Sequence, residues 1–560
     1  MNDILSENQE SSSEQLQNTQ CDYKIEIINY KDVPFELASD SFANLMIEES
    51  MFDEDVVKGH ISIIDTTGIE ERVPLIGQER IRIEFNNKLM PKTKYQGTFV
   101  IHKISEKLVV ERKQTYILHF ISEEFINNLK RKVSKSFKGK RSSEIVSEIY
   151  ERYLVSSSSP KKLFFDKIGN SDGTFYPMHF VFPSVRPFSA INQVAKSSVA
   201  SNAELSEESK IIPNFGSFVF FENKFGFWFK SIADLIDPQT TTEQTEFNKQ
   251  SVESTNEKGS DYNQLSQEDR ENQSIVAVDQ APSTVNLNVP VAKYIIAPQN
   301  TPGMKLSTGE FIVNSYKFIS TFDSVSNLAA GMYNSKLLTY DPVTQIIGAN
   351  KFEKPSLTSL RNSKILKGNK RAVFYEYNYL DEFKNFRHVR SDKTFPVISR
   401  DHFAYGESDS FYKYQSTNFE HNQIGSINTL QNVMTDNSFN CSSFDKQVER
   451  YLLPHYAQKR MMKNIIVEIR VSGDHNRTIG EVVELKLPSY FFNDDHKFYS
   501  GNYLITNLRH LVTSDNSYIT EMQLVRDSLL SPIETVEPPQ EFLQSLEEDE
   551  NFWENEIGDE

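Results

Sequence analysis

The chain has 560 residues, 38% hydrophobic and 12% aromatic, with 40 Phe and 24 Tyr; that length exceeds one core, so roughly two to four folded units are expected, and the ring content favours pleated, half-buried strands over helix bundles. The formal net charge of −18 is concentrated in segments: residues 1–21 carry four acids and no base, 527–560 twelve acids and no base, and 238–289 nine acids against three bases, which leaves the remainder near +4. A strongly acidic folded body is therefore excluded, and the acidic runs read as solvated segments rather than binding faces.

Residues 1–21, polar and rich in Ser, Gln and Glu, are expected to form a disordered tail. From Tyr23 to about Ser122, period-two runs recur at Tyr23–Ile28, Phe42–Glu49, Gly59–Ile64, Arg80–Phe85, Tyr95–Ile104 and Thr115–Ile121. This is the spacing of a small barrel or sandwich, placed at 22–125. The period then becomes helical, with Phe125, Leu129 and Val133 in one stripe and Ile145, Ile149 and Leu154 in a second, capped by Ser142-Ser143-Glu144. Strands at Leu163–Phe165 and His179–Phe182, a helix from Pro187 to about Val199, and a hairpin over Phe215–Phe229 turning at Glu222-Asn223-Lys224 complete an α+β unit at 126–237.

Residues 238–289 are a polar, acidic linker that cannot bury enough apolar surface to offset its ordering entropy. Strands follow at Tyr294–Ile296, Tyr316–Ile319, Lys336–Thr339 and Thr344–Phe352, with a short helix from about Asp323 to Ala330. Residues 356–446, rich in Tyr, Phe and Asn, show no clean period. With a helix from about Gln447 to Met462, interrupted at Pro454, they make an insertion of unknown fold over 356–463. Residues 464–530 resume the strand pattern, and 531–560 form an acidic tail holding Glu547-Glu548-Asp549-Glu550 and Trp553.

One unit occurs twice. Gly97-Thr98-Phe99-Val100-Ile101-His102-Lys103-Ile104 and Gly501-Asn502-Tyr503-Leu504-Ile505-Thr506-Asn507-Leu508 share the pattern Gly-x-aromatic-aliphatic-Ile-x-x-aliphatic. Ile76-Gly77 with Ile81, Ile83 and Phe85 precedes the first copy, and Ile479-Gly480 with Val483, Leu485 and Leu487 precedes the second, offset by one residue. Tyr116–Ser122 is matched downstream by Tyr518–Asp527. The second barrel is therefore discontinuous, at 290–355 and 464–530. In each strand the apolar set fills the core, and the alternate set, such as Arg80, Arg82 and Glu84 or Glu484 and Lys486, meets neighbours or a lumen.

Signatures of chemistry are sparse. Gly169-Asn170-Ser171-Asp172-Gly173 matches the nucleophile-elbow pattern, but the strand-like Thr174–Phe182 after it is wrong for an elbow, which needs a helix there. The five residues read as a turn. Asp53-Glu54-Asp55 reads as a solvated turn rather than a catalytic pair. The basic cluster Lys130, Arg131, Lys132, Lys135, Lys138, Lys140 and Arg141 reads as a solvated helix end, or as a grip on an acidic partner or nucleic acid. The 11 His show no ligand spacing, and there is no phosphate-binding loop. No catalytic, cofactor-binding or metal-binding residue is expected, and no enzyme activity. Cys21 and Cys441 cannot form a disulfide framework, which favours a reduced compartment. No apolar run approaches the ~18 residues of a membrane span, and Met1–Gln20 lacks a secretory pattern.

The chain resembles the baseplate central hub proteins of contractile-tailed bacteriophages, the T-even-type hub family, fold relatives of the base of type VI secretion spikes. The residues that carry the resemblance are Ile61–Gly77 with its Pro74-Leu75-Ile76-Gly77, the basic Val133–Lys140, Arg186–Asn192, Gly226-Phe227-Trp228-Phe229-Lys230, Ala330-Gly331-Met332-Tyr333, and Gly501–Ser528. It implies a mainly β fold with α+β parts, in which two homologous tube barrels accompany an α+β domain and an insertion. It further implies a homotrimer whose six barrels match a hexameric tail tube on one side and a trimeric puncturing spike on the other, with a channel for DNA as passing cargo. Partners would be tail tube proteins, the central spike and baseplate components, in a virion assembled in the bacterial cytoplasm. The alternatives are a receptor- or glycan-binding phage tail protein and, from a third class, a tail-associated hydrolase using Ser171 or Asp53.

Overall fold

A computed structural model describes residues 20–52, 56–88, 93–111, 113–156, 160–165, 178–198, 217–232, 235, 292–296, 310–330, 334–341, 346–353, 394–398, 459–460, 462–489 and 495–526. The fold is mainly β with a few short helices. Ser171, Asp53-Glu54-Asp55, the 238–289 linker, residues 1–19, Cys441, Pro454 and the 531–560 tail lie outside the described residues.

The first barrel is built from β1 (Cys21–Ile28), β2 (Pro34–Glu36), β3 (Phe42–Ser50), β4 (Lys58–Asp65), β5 (Arg80–Asn87), β6 (Tyr95–Val110) and β7 (Lys113–Ile121). They pair antiparallel in the order β3-β4-β7-β6-β5-β1-β2. Period-two alternation sets which face is dry: Ile81, Ile83 and Phe85 of β5 are buried with Ile25, Leu45, Ile61, Phe99, Leu118 and Phe120. Each such side chain contributes about 1.5–3 kcal/mol by leaving water. Packing is tight at Gly59, where a Cβ would stand 2.2 Å from the Met46 carbonyl oxygen and 2.5 Å from the Phe120 ring.

The α+β unit follows as the helix Glu123–Lys130, β8 (Val133–Lys140), the helix Ser142–Ile149 with a π turn over Tyr150–Leu154, β9 (Lys162–Phe165), β10 (Met178–Val185), the helix Pro187–Ser197, β11 (Phe218–Asn223) and β12 (Gly226–Ser231). The basic segment is not a helix end beyond Lys130 but the strand β8, paired antiparallel with β10. Val133 and Phe137 alternate into the core, so the period was two where the charged residues hid it. The second helix starts one residue earlier than Ser142 suggests: the Arg141 amide donates to the Glu144 carboxylate at 3.1 Å.

The β11–β12 hairpin turns at Lys224-Phe225, with Asn223 opposite Gly226. Gly226 sits at φ 143° with a would-be Cβ 2.5 Å from the Lys162 carbonyl oxygen, so only glycine fits. Both faces of the hairpin are buried. Phe218, Phe220, Phe227 and Phe229 enter the α+β core, while Val219, Phe221 and Trp228 enter the core of the second barrel.

That second barrel comprises β13 (Lys293–Ile295), β14 (Glu310–Ser320), β18 (Ile465–Ser472), β19 (Val482–Lys486), β20 (Gly501–Thr513) and β21 (Tyr518–Arg526). The six close into a ring, β13-β14-β18-β21-β20-β19 and back to β13. The strands expected within it at 334–353 do not join it. They are β15 (Asn334–Asp341) and β16 (Ile346–Glu353), which pair with each other and with β17 (Thr394–Ile398) in a separate sheet. Alternation alone marks a strand but not its partner.

Candidate functional site: the seam between the barrels

The two barrels share one strand order, although β13 pairs with β14 to close the second and no pairing joins β1 to β3 among the described residues. Numbering the six main strands of each in chain order, both run 1-4-5-6-3-2 across the sheet: β1-β5-β6-β7-β4-β3 and β13-β19-β20-β21-β18-β14. Local detail agrees. Gly77 and Gly480 both hold φ 87°, and the Ile101 and Ile505 amides donate to the Glu79 and Glu481 carbonyls, both at 2.9 Å. Each copy of the octet is bulged at its sixth residue, His102 in β6 and Thr506 in β20, where the register against β7 and β21 slips. The first strands differ: β1 is antiparallel to β5, whereas β13 is parallel to β19.

The barrels meet along β20. Its first half, Gly501–Leu504, pairs with β19 of its own barrel, and after the bulge Asn507–Thr513 pairs antiparallel with Ser50–Asn44 of β3. One continuous 13-stranded sheet results. Val512 and Tyr518 of the β20–β21 hairpin are buried in the first barrel's core, and the Cys21 amide donates to the Asn516 carbonyl at the hairpin tip at 2.8 Å. The second barrel's hairpin thus completes the first barrel.

Aromatic rings staple this seam. Phe85 stacks on Tyr95 at 4.8 Å between centroids and meets Tyr518 edge-on at 5.2 Å and His510 at 5.5 Å. The Tyr518 hydroxyl and His510 Nδ1 are 2.8 Å apart. Burial, with Lys224 and His475 nearby, holds His510 neutral, its pKa well below the ordinary histidine range. On the outer face, Arg509 donates two bonds to Glu48 at 2.9 and 3.1 Å.

Behind the seam lies a buried polar node. Glu49 accepts from the Thr478 hydroxyl and the Ile479 amide, its Oε1 has no hydrogen-bond partner, and burial pushes its pKa up to about 7. The Asn87 amide donates to His475 Nδ1 at 3.2 Å, and Thr93 Oγ1 lies 2.7 Å from His475 Nε2. Burial and then Lys224 lower the His475 pKa to about 4. Lys224 Nζ donates to the His475 carbonyl at 2.9 Å, and Arg477 pairs with Asp474 at 3.2 Å and Glu481 at 3.3 Å. A second node joins the first barrel to the α+β unit: Lys161 pairs with Glu222 and with Glu124 at 3.0 Å, and Glu222 also accepts from the Val57 amide at 3.0 Å and Ser122 at 2.6 Å. Apart from Glu49 Oε1 and Glu124 Oε1, which have no hydrogen-bond partner, the charged groups of the two nodes bond to one another.

The charges expected on the barrels' outer faces pair within each barrel. Arg82 meets Glu26 at 3.1 Å, Lys94 meets Glu84 at 3.1 Å, Lys293 meets Glu484 at 3.7 Å and Lys486 meets Asp495 at 3.8 Å. Within the basic cluster, Lys135 and Lys140 share Glu148, and Arg131 donates to the Tyr153 carbonyl at 3.1 Å. Lys130, Lys132 and Lys138 are exposed. The two nodes leave no local pattern in the sequence because their members lie far apart, as Lys224 and His475 do at 251 positions. One signal was present: Glu222 interrupts the apolar run Phe218-Val219-Phe220-Phe221, and a charge inside a buried strand requires a partner.

By sequence the chain matches no protein-family model and no curated protein. Among solved structures it is similar to the 43 kDa tail protein of prophage MuSo2 from Shewanella oneidensis, with TM-score 0.43 and 8% identity over 90% of this chain and 99% of that one. It is likewise similar to a tail protein from Neisseria meningitidis MC58, with TM-score 0.40 and 6% identity over 91% and 99% of the two chains. A third is the c3393 protein of E. coli, a type VI secretion component described as structurally similar to T4 tail proteins gp27 and gp5, with TM-score 0.36 and 8% identity over 89% and 77%. These neighbours are described as tail proteins and a type VI secretion component. Among the described residues no helix is long and apolar enough to cross a membrane, and no group of His, Cys, Asp or Glu is placed to hold a metal ion.

Proposed function

We propose that this protein is a structural component of a phage tail, the trimeric baseplate hub that joins a hexameric tail tube to a trimeric spike and surrounds a channel for DNA. The observation that carries the reading is the fusion of two barrels of one strand order into one sheet through β20 and β3. A chain that supplies two equivalent wall units makes six from three copies, which reconciles sixfold with threefold symmetry at one joint. In this reading 22–125 and the discontinuous second barrel are the tube domains, and 126–237 is an α+β domain buttressing them. The role is architectural rather than catalytic: the buried carboxylates serve joints between units. Its partners are tube, spike and other baseplate proteins, with DNA as cargo, in the virion.

Light scattering on the full-length chain, alone and co-expressed with tube and spike proteins of a contractile tail, tests the proposal. A trimer that co-purifies with both is expected. A monomer under all of these conditions sinks it, as does cell-surface or glycan binding by the isolated chain without affinity for tube or spike.

A further inference from the structure

The seam inside the chain is a template for a seam between chains. β20 carries β21 on one edge, and on the other it carries β19 before the bulge and β3 after it. Its equivalent β6 carries β7 on one edge and β5 on the other as far as Val100, and beyond the His102 bulge that second edge has no strand on it among the described residues. The equivalent of β3 is β14. One of its edges carries β18 over Val313–Ser320, and its other carries β13 only over Glu310–Ile312, so Val313–Ser320 is bare there among the described residues. The chain thus repeats both halves of the β20–β3 joint and leaves the second pair apart.

Exposed apolar residues lie on these same edges. Val512 of the embedded hairpin is fully buried, whereas Leu108, Val109 and Val110 of its copy are 60%, 55% and 56% exposed. On β14, Tyr316 is 46% and Ile319 48% exposed. Bare strand edges with apolar side chains are pairing surfaces that proteins otherwise blunt.

We infer that the β6 edge of one copy pairs antiparallel with the β14 edge of a second copy of this chain, in the register of the β20–β3 joint. The register follows from the ladders. Leu118 faces Ile104 and Ile61 as Met522 faces Leu508 and Ile469, so Thr115 corresponds to Ile519, Leu108 to Leu511 and Val109 to Val512. On the other strand, Leu45 faces Ile61 as Tyr316 faces Ile469. Because Val512 is opposite Leu45, Val109 of one copy stands opposite Tyr316 of the next, with Leu108 against Lys317 and Val110 against Ser315. The inference names the contact that the trimeric reading requires and rests on it.

Disulfide trapping in the full-length chain decides. In a Cys21→Ala, Cys441→Ser background, Val109→Cys with Tyr316→Cys should give a covalently linked trimer on mild oxidation, because directly opposed residues of antiparallel strands have Cα atoms about 4.5–5.5 Å apart, within the span of a disulfide. Mixing chains that carry only one of the two substitutions should give covalent dimers, and Val109→Cys with Glu36→Cys, on the unrelated edge strand β2, should give none. A trimer by light scattering without the Val109–Tyr316 bond overturns the pairing and leaves the hub reading standing. Linked ladders that run past three copies keep the pairing and overturn threefold closure. A monomer overturns both.

Discussion

Phe85 of the first barrel meets Tyr518 of the second edge to face, ring centroids 5.2 Å apart, in a cluster that also holds Tyr95 and His510. This contact and the Arg509–Glu48 pair both span the seam, but they differ in what surrounds them. The rings are dry, while Arg509 is 44% exposed.

Burial, not the ion pair, therefore sets the strength of the seam. Phe85→Ala should cost about 3–5 kcal/mol, whereas Arg509→Ala should cost about 0.2–1 kcal/mol and less at high salt. Chemical denaturation midpoints of the two variants compare them, and equal losses would assign the seam to electrostatics.

Glu222 anchors the α+β unit to the first barrel through Lys161, Ser122 and the Val57 amide. Burial alone would lower the Lys161 pKa, but Glu222 and Glu124 raise it, so the ammonium stays charged. Glu222→Ala removes one of its two counterions and should cost about 3–5 kcal/mol. Glu222→Gln, which keeps the acceptor for Val57, should cost less. A denaturation series on both variants reads the difference.

The pH dependence carries opposed contributions. His475, with its folded pKa lowered to about 4, and His510, also lowered by burial, contribute stability that is present above the unfolded histidine value of 6.5 and lost as pH falls toward their folded values. Glu49, raised to about 7, contributes stability that is present below its unfolded value of 4.5 and lost as pH rises through 7. Each of His475 and Glu49 is worth about 3 kcal/mol at the extremes. Removing the Glu49 charge with Glu49→Gln should therefore make stability climb more steeply between pH 4.5 and 7 than in the parent chain. Thermal midpoints across that range test it, and a flatter profile in the variant would contradict the assignment.

Gly77 and Gly480 share φ 87° but not surroundings. A Cβ on Gly77 meets nothing within 4 Å, while one on Gly480 stands 3.0 Å from the Phe221 ring. Gly77→Ala should cost about 1 kcal/mol from the left-handed backbone alone, and Gly480→Ala should cost more. Thermal shifts of the paired variants measure the steric part directly.

Much of this architecture was legible in the chain. The octets at Gly97 and Gly501, with Gly77 and Gly480 before them, marked equivalent strands because bulges and left-handed glycines are fixed by backbone geometry and so recur with the fold. Pairing partners were less legible. The alternation at 334–353 fits a strand of either sheet, yet these strands form a sheet of their own, and β8 reads as a helix end because its outward residues are all basic or small. The two buried nodes could not be read at all, apart from the out-of-place Glu222, since a contact such as Glu49–Thr478 spans 429 positions and leaves no local pattern.

The joint of β20 on β3 also orders events in time. Arg509 and Glu48 are 461 positions apart, and at ~5–20 residues per second the ribosome needs roughly 25–90 s to cover that distance. For that interval the N-terminal barrel lacks Val512, Tyr518 and the strand that covers Ser50–Asn44. A chain broken off before β20 keeps the Asn44–Ser50 edge of β3 open, an edge that is covered only once the last strands have been made.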